Sequence, residues 1–377
     1  MKYLLIHGHL IIDGNREYLD GGLLIEDERI IEVYPQSNKI NNPEDCKIID
    51  LNGKLVMPGF FDTHTHGITM MSFDDASEDD LDKMSYEYAK DGTTSFLSSL
   101  SYHSDEQIER QLETYERCEG AYSRFQGIHL EGPFLSDKYP GIGNPELFLK
   151  PDVNRIKDYL NKSSKLKQMT IAYELEGAKE VGKVLKDNNV RVMCGHSDAL
   201  YENLDDNVDG FTHLFNAMRG LHHRDMTLVN CAFMNRWNVE LIADGNHVHE
   251  DVLKLVINNI DRDRIMLVSD SSIAKNLEDG EYDFMGRHCI KNGTTFKSDD
   301  GHLVGSVVSI NDEMKVLYRL GAKYTNLLLY SGYNAYRFYN LDKQFGTLEK
   351  GKYSDIVIMD DELNISNVMV RGKFIYD

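Results

Sequence analysis

Short apolar segments alternate with longer amphipathic segments over the middle of the chain. The apolar segments have the length and composition of buried strands. They are Phe60–Asp62, Thr94–Leu97, Gln126–Leu130, Met169–Ala172, Arg191–Cys194, Gly210–Thr212, Val239–Ala243 and Ile265–Val268. The longer segments predict helices at Glu78–Lys90, Asp105–Glu116, Glu176–Asn188, Glu250–Asn259 and Ile310–Leu320.

This alternation predicts an α/β fold, with the eight strands closed into a (β/α)8 TIM barrel. A doubly wound parallel sheet is the alternative. That fold commonly carries a Gly-x-Gly-x-x-Gly turn after an early strand, and no such turn is present here. The barrel is therefore the favoured architecture.

The two ends of the chain have a different pattern, in which short strands are separated by turn-forming residues. The N-terminal strands are predicted at Tyr3–Ile6, Leu10–Ile12, Gly22–Glu26, Arg29–Tyr34 and Lys47–Asp50, and similar segments begin at Ile356 and Val368. We expect residues 1–57 and 346–377 to form one small β-sandwich domain and residues 58–345 to form the barrel. The alternative is two unrelated β flaps.

Histidines and acidic residues recur where the predicted strands end, at the face of a (β/α)8 barrel that carries chemistry. They are His64 and His66 after the first strand, Glu131 after the third, His196 after the fifth, His213 after the sixth, His247 beyond the seventh and Asp270 after the eighth. One such histidine would more often be structural. Their recurrence predicts a metal site.

His64 and His66 lie one residue apart after the apolar run that starts at Met57. Side chains at i and i+2 of a strand point to the same face, so both imidazoles can bind one ion. Histidines and carboxylates without thiolates are typical of catalytic zinc or iron(II) sites. We expect one or two divalent metal ions.

The two carboxylates of this set suit different tasks. Glu131 can present one oxygen to each of two metals. Asp270 can take a proton from water and pass it to a leaving group. An aspartate after a strand is more commonly a helix N-cap, and only the neighbouring histidines favour the catalytic role.

Composition narrows the partners and the compartment. The 377 residues carry a formal net charge of −21, which argues against a nucleic-acid or anionic-membrane surface. The five cysteines form no C-x-x-C pair, and no apolar stretch approaches the ~18 residues of a membrane span. The N-terminus lacks the pattern of a signal peptide. We expect a cytoplasmic protein.

Several segments resemble one enzyme family over nearly the whole chain. They are His64-Thr-His66, Gly127-Ile-His-Leu-Glu131-Gly-Pro-Phe, Gly195-His196-Ser, Thr212-His213-Leu-Phe-Asn216-Ala217-Met218, Ile242-Ala-Asp-Gly-Asn-His247-Val and Val268-Ser-Asp270. Their order is similar to that of N-acetylglucosamine-6-phosphate deacetylases, which belong to the amidohydrolase superfamily. The second and fourth segments are the specific ones, whereas His-x-His marks only the superfamily.

The resemblance implies hydrolysis of N-acetylglucosamine 6-phosphate to glucosamine 6-phosphate and acetate. It implies metal ligation by Glu131, His196 and His213, a second metal at His64 and His66, and Asp270 as general base and then acid. It implies substrate contacts from Asn216, Ala217, Arg224 and His247, with Arg224 reaching the phosphate across a homodimer interface. On the residues alone, Arg224 would be a surface side chain paired with Asp225. The nearby residues Arg219, His222 and His223 are alternative candidates for binding the phosphate.

The chain departs from the family pattern in two loops. Gly143 stands where the family carries a histidine that helps to polarise the acetyl carbonyl. We hypothesise that a second metal at His64 and His66 takes over this polarisation. The segment Ser98-Ser-Leu-Ser-Tyr-His103 replaces a segment with proline and threonines, and His103 is expected to be solvated rather than in the pocket.

Other functions remain open from the sequence. A close rival is the deacetylation of N-acetylgalactosamine 6-phosphate, which differs in the configuration of one hydroxyl. A dihydroorotase-like or dipeptidase-like enzyme is more distant, because those usually bridge their metals with a carboxylated lysine. A non-catalytic metal-binding relative is the last alternative, which Gly143 favours and Asp270 opposes.

Overall fold

Eight parallel strands form one sheet in the middle of the chain. The computed structural model describes residues 1–40, 45–284 and 286–376. We label the strands β1 (Phe60–Asp62), β2 (Thr93–Ser101), β3 (Arg124–Glu131), β4 (Leu166–Ile171), β5 (Arg191–Cys194), β6 (Gly210–Phe211), β7 (Asn238–Leu241) and β8 (Ile265–Leu267). Each strand pairs in parallel with the next along the chain. The predicted barrel strands and their order are confirmed.

The backbone beyond β1 and β8 joins the two edges of this sheet. The amide of Asp270 donates to the carbonyl of His64 at 2.8 Å, and the amide of His66 donates to the carbonyl of Ser271 at 2.8 Å. Because parallel strands all point the same way, their C-terminal ends meet at one face. The closure therefore places the residues after β1 next to those after β8.

The helices around the sheet are amphipathic, and each buries one apolar face. They span Glu78–Lys90, Asp105–Tyr115, Val153–Lys162, Ala178–Asp187, Leu228–Ala232, Glu250–Asn259 and Ile310–Arg319, followed by helical segments from Tyr324 to Phe338. Within the described ranges, no helix is both long enough and apolar enough to cross a membrane. The five predicted helices are confirmed to within two residues at each end.

Three helical regions were not predicted, and one of them, Leu228–Ala232, is too short at five residues to display a helical period. The helix Val153–Lys162 is amphipathic, with Ile156 and Tyr159 buried and Asp152 as its N-cap, so its pattern could have been recognised in the sequence. The segment from Tyr324 to Phe338 is buried on nearly every side around Tyr330, so it lacks a polar face that would mark a helix. The segment from Tyr324 to Phe338 therefore lacks the contrast between an apolar and a polar face by which a sequence pattern indicates a helix.

Both ends of the chain contribute to one eight-stranded sheet. Its strands are Lys2–Ile11, Glu17–Glu26, Arg29–Tyr34, Lys47–Asp50, Leu55–Pro58, Ile356–Met359, Ile365–Val370 and Lys373–Phe374. The strand Leu55–Pro58 pairs with Lys2–Ile11 on one side and with Ile356–Met359 on the other. The two ends are therefore one β-rich domain rather than two unrelated flaps. The boundaries at residues 57 and 346 stay a prediction, and residues 41–44 and 377 lie outside the described ranges.

A small antiparallel sheet lies between β8 and the helix Ile310–Arg319. Its strands are Gly280–Phe284, Arg287–Asn292 and Thr295–Ser298. The sequence pattern did not predict it, because the residues of its first strand are all at least partly exposed and its apolar positions are few. The sheet brings Phe284 to the C-terminal face of the barrel.

A buried ion pair connects the terminal domain to the barrel. Arg124, at the start of β3, donates to Asp355 at 2.6 and 3.3 Å and to Glu28 at 2.8 Å. Burial lowers the pKa of Arg124, but the Asp355 and Glu28 carboxylates outweigh burial and raise it above its ordinary value. Asp355 also accepts the amide of Arg371 at 2.9 Å. Removal of Arg124 would leave this buried carboxylate without its charged partner.

We expect Arg124→Met to lower the free energy of unfolding by about 3–5 kcal/mol, the usual cost of breaking a buried ion pair from one side. The matched control is Lys183→Met, because Lys183 forms an exposed pair with Asp187 at 3.0 Å. That exposed pair should contribute less than about 1 kcal/mol. Denaturant titration of both variants measures the difference, and equal losses would contradict the role of Arg124.

Candidate active site

The predicted strand-end residues lie together at the C-terminal face of the barrel. Their side chains converge from five strands, with His64 and His66 after β1, Glu131 at the end of β3, His196 after β5, His213 after β6 and Asp270 after β8. Two groups have ligand atoms within 4.8 Å of one another: His64, His66 and Asp270, and Glu131, His196 and His213. The structure brings together all six of these residues.

The Glu131 carboxylate lies at the centre of the cluster. Its Oε1 is 3.4 Å from Nε2 of His64 and 3.2 Å from Nε2 of both His196 and His213. Its Oε2 is 3.1 Å from Nε2 of His66. One carboxylate therefore contacts four imidazoles and connects the two groups, as the predicted bridging role requires.

The imidazole nitrogens also face one another in pairs. Nε2 of His64 is 3.1 Å from Nε2 of His66, and Nε2 of His196 is 3.1 Å from Nε2 of His213. Oδ1 of Asp270 lies 3.5 Å from Nε2 of both His64 and His66. Neutral imidazoles offer lone pairs in such a contact, and a cation between them satisfies both at once.

Hydrogen bonds on the opposite ring nitrogens fix the direction of three of these imidazoles. Nδ1 of His196 lies 3.0 Å from the carbonyl of Tyr139, and Nδ1 of His64 lies 3.3 Å from Glu240. Because a carbonyl only accepts, Nδ1 of His196 carries the proton and its Nε2 presents a lone pair. Nδ1 of His66 contacts the hydroxyl of Ser101 at 3.3 Å. These contacts are those of metal-ligating histidines.

The charges of the cluster shift its pKa values in opposite directions. Burial raises the pKa of Glu131, but the His64 and His196 imidazoles outweigh burial and lower it well below its usual range. Burial lowers the pKa of His64, but the Glu131 and Asp270 carboxylates outweigh burial and raise it well above its usual range. The site therefore favours positive charge, whether as protons or as metal ions.

A second layer of polar groups lies beneath the cluster, and the sequence analysis did not identify it. Glu240, fully buried in β7, contacts His64 and accepts from Nε2 of Gln168 at 2.8 Å. Tyr339 donates to Gln168 from below. A carboxylate inside the apolar strand Asn-Val-Glu-Leu is the signal that could have revealed Glu240.

His129 lies edge-on to His64, with 4.5 Å between the ring centroids. Burial and the nearby His64 imidazole lower the pKa of His129 well below its ordinary value. Its ring nitrogens contact the hydroxyls of Ser99 and Thr170, each at 2.9 Å. His129 is therefore a neutral supporting residue rather than a further ligand.

Three residues of the cluster have left-handed backbone conformations. The φ angles of His196, His213 and Asp270 are 47°, 27° and 45°. Such conformations cost about 1–3 kcal/mol each in non-glycine residues and are concentrated at functional sites. No helix begins after Asp270, where residues 271–279 form turns and bridges. The alternative role of Asp270 as a helix N-cap is therefore wrong.

A cavity of about 250 Å³ opens next to the cluster. Its lining contains the predicted substrate residues Asn216, Ala217 and His247. Gly143 also lines it, and Gly141 allows the same loop to approach His196, because a Cβ on Gly141 would lie 2.9 Å from Cε1 of His196. In the described ranges, the residues that line this cavity include no lysine or arginine.

Arg224 is the one predicted site residue that the structure places elsewhere. Its side chain is exposed and does not line the cavity of its own chain. The expected pairing with Asp225 is wrong, because Asp225 contacts His222 at 3.2 Å and Arg219 at 3.8 Å. Arg219 is itself held by Asp198 at 2.6 Å. These contacts leave Arg224 at the surface.

The donor set fits a divalent metal. It combines imidazole nitrogens with carboxylate oxygens and contains no thiolate, which is the chemistry of catalytic zinc and iron sites. The lone pairs that face each other at 3.1 Å are explained by an ion between them. We therefore describe the cluster as a candidate metal centre beside a substrate-sized cavity.

Comparison with known proteins agrees with a candidate metal centre for hydrolysis. Residues 55–375 match the model of the Amidohydrolase family. The N-acetylglucosamine-6-phosphate deacetylase of Bacillus subtilis (strain 168) is 30% identical over 392 residues, which cover 99% of this chain and 97% of that protein. The N-acetylgalactosamine-6-phosphate deacetylase of Escherichia coli O157:H7 is 29% identical over 342 residues, which cover 88% of this chain and 90% of that protein.

Solved structures agree with the sequence matches. A mutant N-acetyl-D-glucosamine-6-phosphate deacetylase from Mycobacterium smegmatis, in complex with N-acetyl-D-glucosamine-6-phosphate, superposes with a TM-score of 0.91. It is 26% identical, and the match covers 100% of both chains. The chain therefore belongs to the amidohydrolase family and, within it, to the family of N-acetylglucosamine-6-phosphate deacetylases.

Proposed function

We propose that this protein hydrolyses the acetamide of N-acetylglucosamine 6-phosphate to give glucosamine 6-phosphate and acetate. The observation that carries the proposal is the cluster of four histidines around Glu131, with Asp270 beside it at the edge of a substrate-sized cavity. Relatives of about this chain's length are named N-acetylglucosamine-6-phosphate deacetylase, among them the Bacillus subtilis protein at 30% identity. The amidohydrolase family fits metal-dependent hydrolysis.

The metal would be held by Glu131, His196 and His213, with His64, His66 and Asp270 available for a second ion. A bound zinc or iron(II) ion would lower the pKa of a water molecule towards ~7 and withdraw charge from a carbonyl oxygen. Glu240 and the carbonyl of Tyr139 orient two of the imidazoles, which keeps their Nε2 atoms directed to the centre.

Asp270 moves the proton in this reaction. Its Oδ1 lies beside the His64 and His66 imidazoles, at the wall of the cavity. It accepts a proton from the attacking water and delivers it to the amide nitrogen as the C–N bond breaks. The carbonyl carbon gains the water oxygen, so acetate and the free amine leave. A pure metal binder would need no such group, which argues against the non-catalytic alternative.

The phosphate needs a cation that the cavity of one chain does not contain. Asn216 and Ala217 lie in its wall and can offer amide donors, and His247 can contact the sugar. Arg224 is exposed on a loop that also exposes the apolar side chains of Leu221 and Met226. An exposed guanidinium beside exposed apolar side chains fits a homodimer in which Arg224 reaches the phosphate of the neighbouring subunit.

Two alternatives differ in what they require of the cavity. A dihydroorotase-like or dipeptidase-like enzyme would need a lysine to bridge its metals, whereas Glu131 lies between the two groups and no lysine is found among the described residues that line the cavity. Deacetylation of the galactosamine isomer needs the same groups, and the Escherichia coli relative with that name is 29% identical. The gluco substrate is the main proposal, and the cytoplasmic location stays a prediction.

Acetate release from four compounds tests the proposed function. We expect the fastest release from N-acetylglucosamine 6-phosphate, slower release from the galactosamine isomer, and at least ~10-fold lower kcat/KM for both unphosphorylated sugars, because a charge-assisted contact to phosphate is then lost. Arg224→Met should remove most of the preference for phosphate, whereas Lys183→Met should not. No acetate from any compound would defeat the proposal, and an unchanged preference in Arg224→Met would defeat the role of Arg224.

The histidine pair tests whether a second metal compensates for Gly143. We expect His64→Gln combined with His66→Gln to reduce the metal bound per chain and to lower kcat by about 10²–10³-fold, the usual effect of removing a group that stabilises developing charge. His7→Gln is the control, because His7 forms an exposed pair with Asp20 in the terminal sheet. Elemental analysis and turnover are measured on the same samples. Unchanged metal content and turnover would contradict the hypothesis.

A further inference from the structure

A histidine–aspartate pair lies on the wall of the cavity, outside the candidate metal centre. His103 follows β2, and its Nε2 lies 3.2 Å from Oδ2 of Asp74. Both residues line the cavity. From the sequence, His103 is expected to be solvated, and it is 41% exposed, but it also lines the substrate cavity.

Asp74 holds this loop through several hydrogen bonds. Its Oδ1 accepts the amide of Ser101 at 2.8 Å while its Oδ2 contacts His103, and its carbonyl accepts Nε2 of Gln107 at 3.1 Å. Gln107 in turn accepts the amide of His103 at 3.4 Å. The imidazole is therefore fixed at one edge by a carboxylate that is itself fixed.

The other edge of the ring is available to a ligand. Within the described part of the chain, Nδ1 of His103 makes no hydrogen bond, since its one ring contact is through Nε2 to Asp74. The hydrogen bond to Asp74 raises the pKa of His103, which favours the form in which Nδ1 carries a proton and donates. Of the other histidines in the lining, His66, His196 and His213 belong to the metal centre and His247 is held by Asp244 at 2.8 Å.

The position of His103 relative to the other groups indicates which part of a substrate it meets. Ser101, two residues earlier, contacts the metal-ligand candidate His66 at 3.3 Å, so the loop begins at the metal centre. Asn216 and Ala217 follow β6, which is four strands away from β2 in an eight-stranded barrel. His103 and the proposed phosphate contacts therefore lie on opposite sides of the cavity.

A hexosamine 6-phosphate can span these points in one orientation. Its acetamide, on C2, must lie at the metal centre, and its phosphate, on C6, must lie towards Asn216 and Ala217. The hydroxyls on C1 and C3 flank the acetamide-bearing carbon and point away from the phosphate. One of them then faces the β2 side of the cavity, whose wall includes His103.

We propose that His103, held by Asp74, is a substrate-binding residue that donates a hydrogen bond to a hydroxyl flanking the acetamide-bearing carbon of the sugar. This inference rests on the proposed function and extends it, because it assigns a contact that selects the sugar rather than the acetyl group or the phosphate. A contact made equally to substrate and transition state changes KM more than kcat.

The test measures the effect of a His103 substitution on the proposed substrate and on analogues that lack one hydroxyl. We expect His103→Asn to lower kcat/KM for N-acetylglucosamine 6-phosphate by about 10–100-fold, mainly through KM, as loss of a charge-assisted hydrogen bond would. The same variant should show no loss with one of two analogues, the 1-deoxy or the 3-deoxy sugar phosphate, because the bond is already absent there. The analogue on which the loss disappears identifies the hydroxyl.

Two controls make the result decisive. His7→Asn removes another exposed imidazole, 2.9 Å from Asp20 in the terminal sheet, and should leave kcat/KM unchanged. Thermal unfolding of His103→Asn should match that of the unaltered chain, and His103→Gln provides a second variant. A loss below twofold, or an equal loss on all three substrates, would overturn the inference alone. Absence of acetate release by the unaltered chain would overturn the proposed function and this inference together.

Discussion

The contact of one carboxylate with four imidazoles is the constraint on which the rest of the site depends. Oxygens of Glu131 lie 3.1–3.4 Å from Nε2 of His64, His66, His196 and His213. These side chains come from four different strands, so the contact forms only if the barrel closes in the correct register. A divalent cation held by these residues would neutralise the carboxylate and satisfy the facing lone pairs, which would link the fold to its chemistry.

The surrounding structure offsets the free-energy cost of strained backbone and buried charge in this arrangement. Left-handed backbone at His196, His213 and Asp270 is unfavourable, and so is the burial of Glu240 beneath His64. The apolar packing of the sheet against its helices, the closure between β1 and β8, and the buried pair of Arg124 with Asp355 hold the strand ends in place. The strained and charged groups are concentrated at one face, and the stabilising contacts lie below and beside it.

The sequence was sufficient to predict the parts of this protein that repeat. Buried strands such as β1 and β5 were predicted because they are runs of apolar residues. The six clustered residues were predicted because polar side chains at the ends of such runs indicate a site. Glu240 was missed because it is a single charged residue within an apolar strand, and no repeating pattern of such residues marks the layer beneath the site. The sheet from Gly280 to Ser298 was missed because its strands are mostly exposed. Contacts across the cavity, such as that of His103 with Asp74, depend on loop conformations that local sequence does not determine.

Removing the metal and adding it back tests most directly whether hydrolysis depends on a metal bound at the Glu131 cluster. The chain is stripped with a chelator, acetate release from N-acetylglucosamine 6-phosphate is measured, and zinc or iron(II) is added back in steps while bound metal is counted. We expect activity to disappear with the metal and to return in proportion to the metal bound, and we expect Glu131→Gln to regain neither activity nor metal. A stripped chain that releases acetate at its original rate would contradict the account.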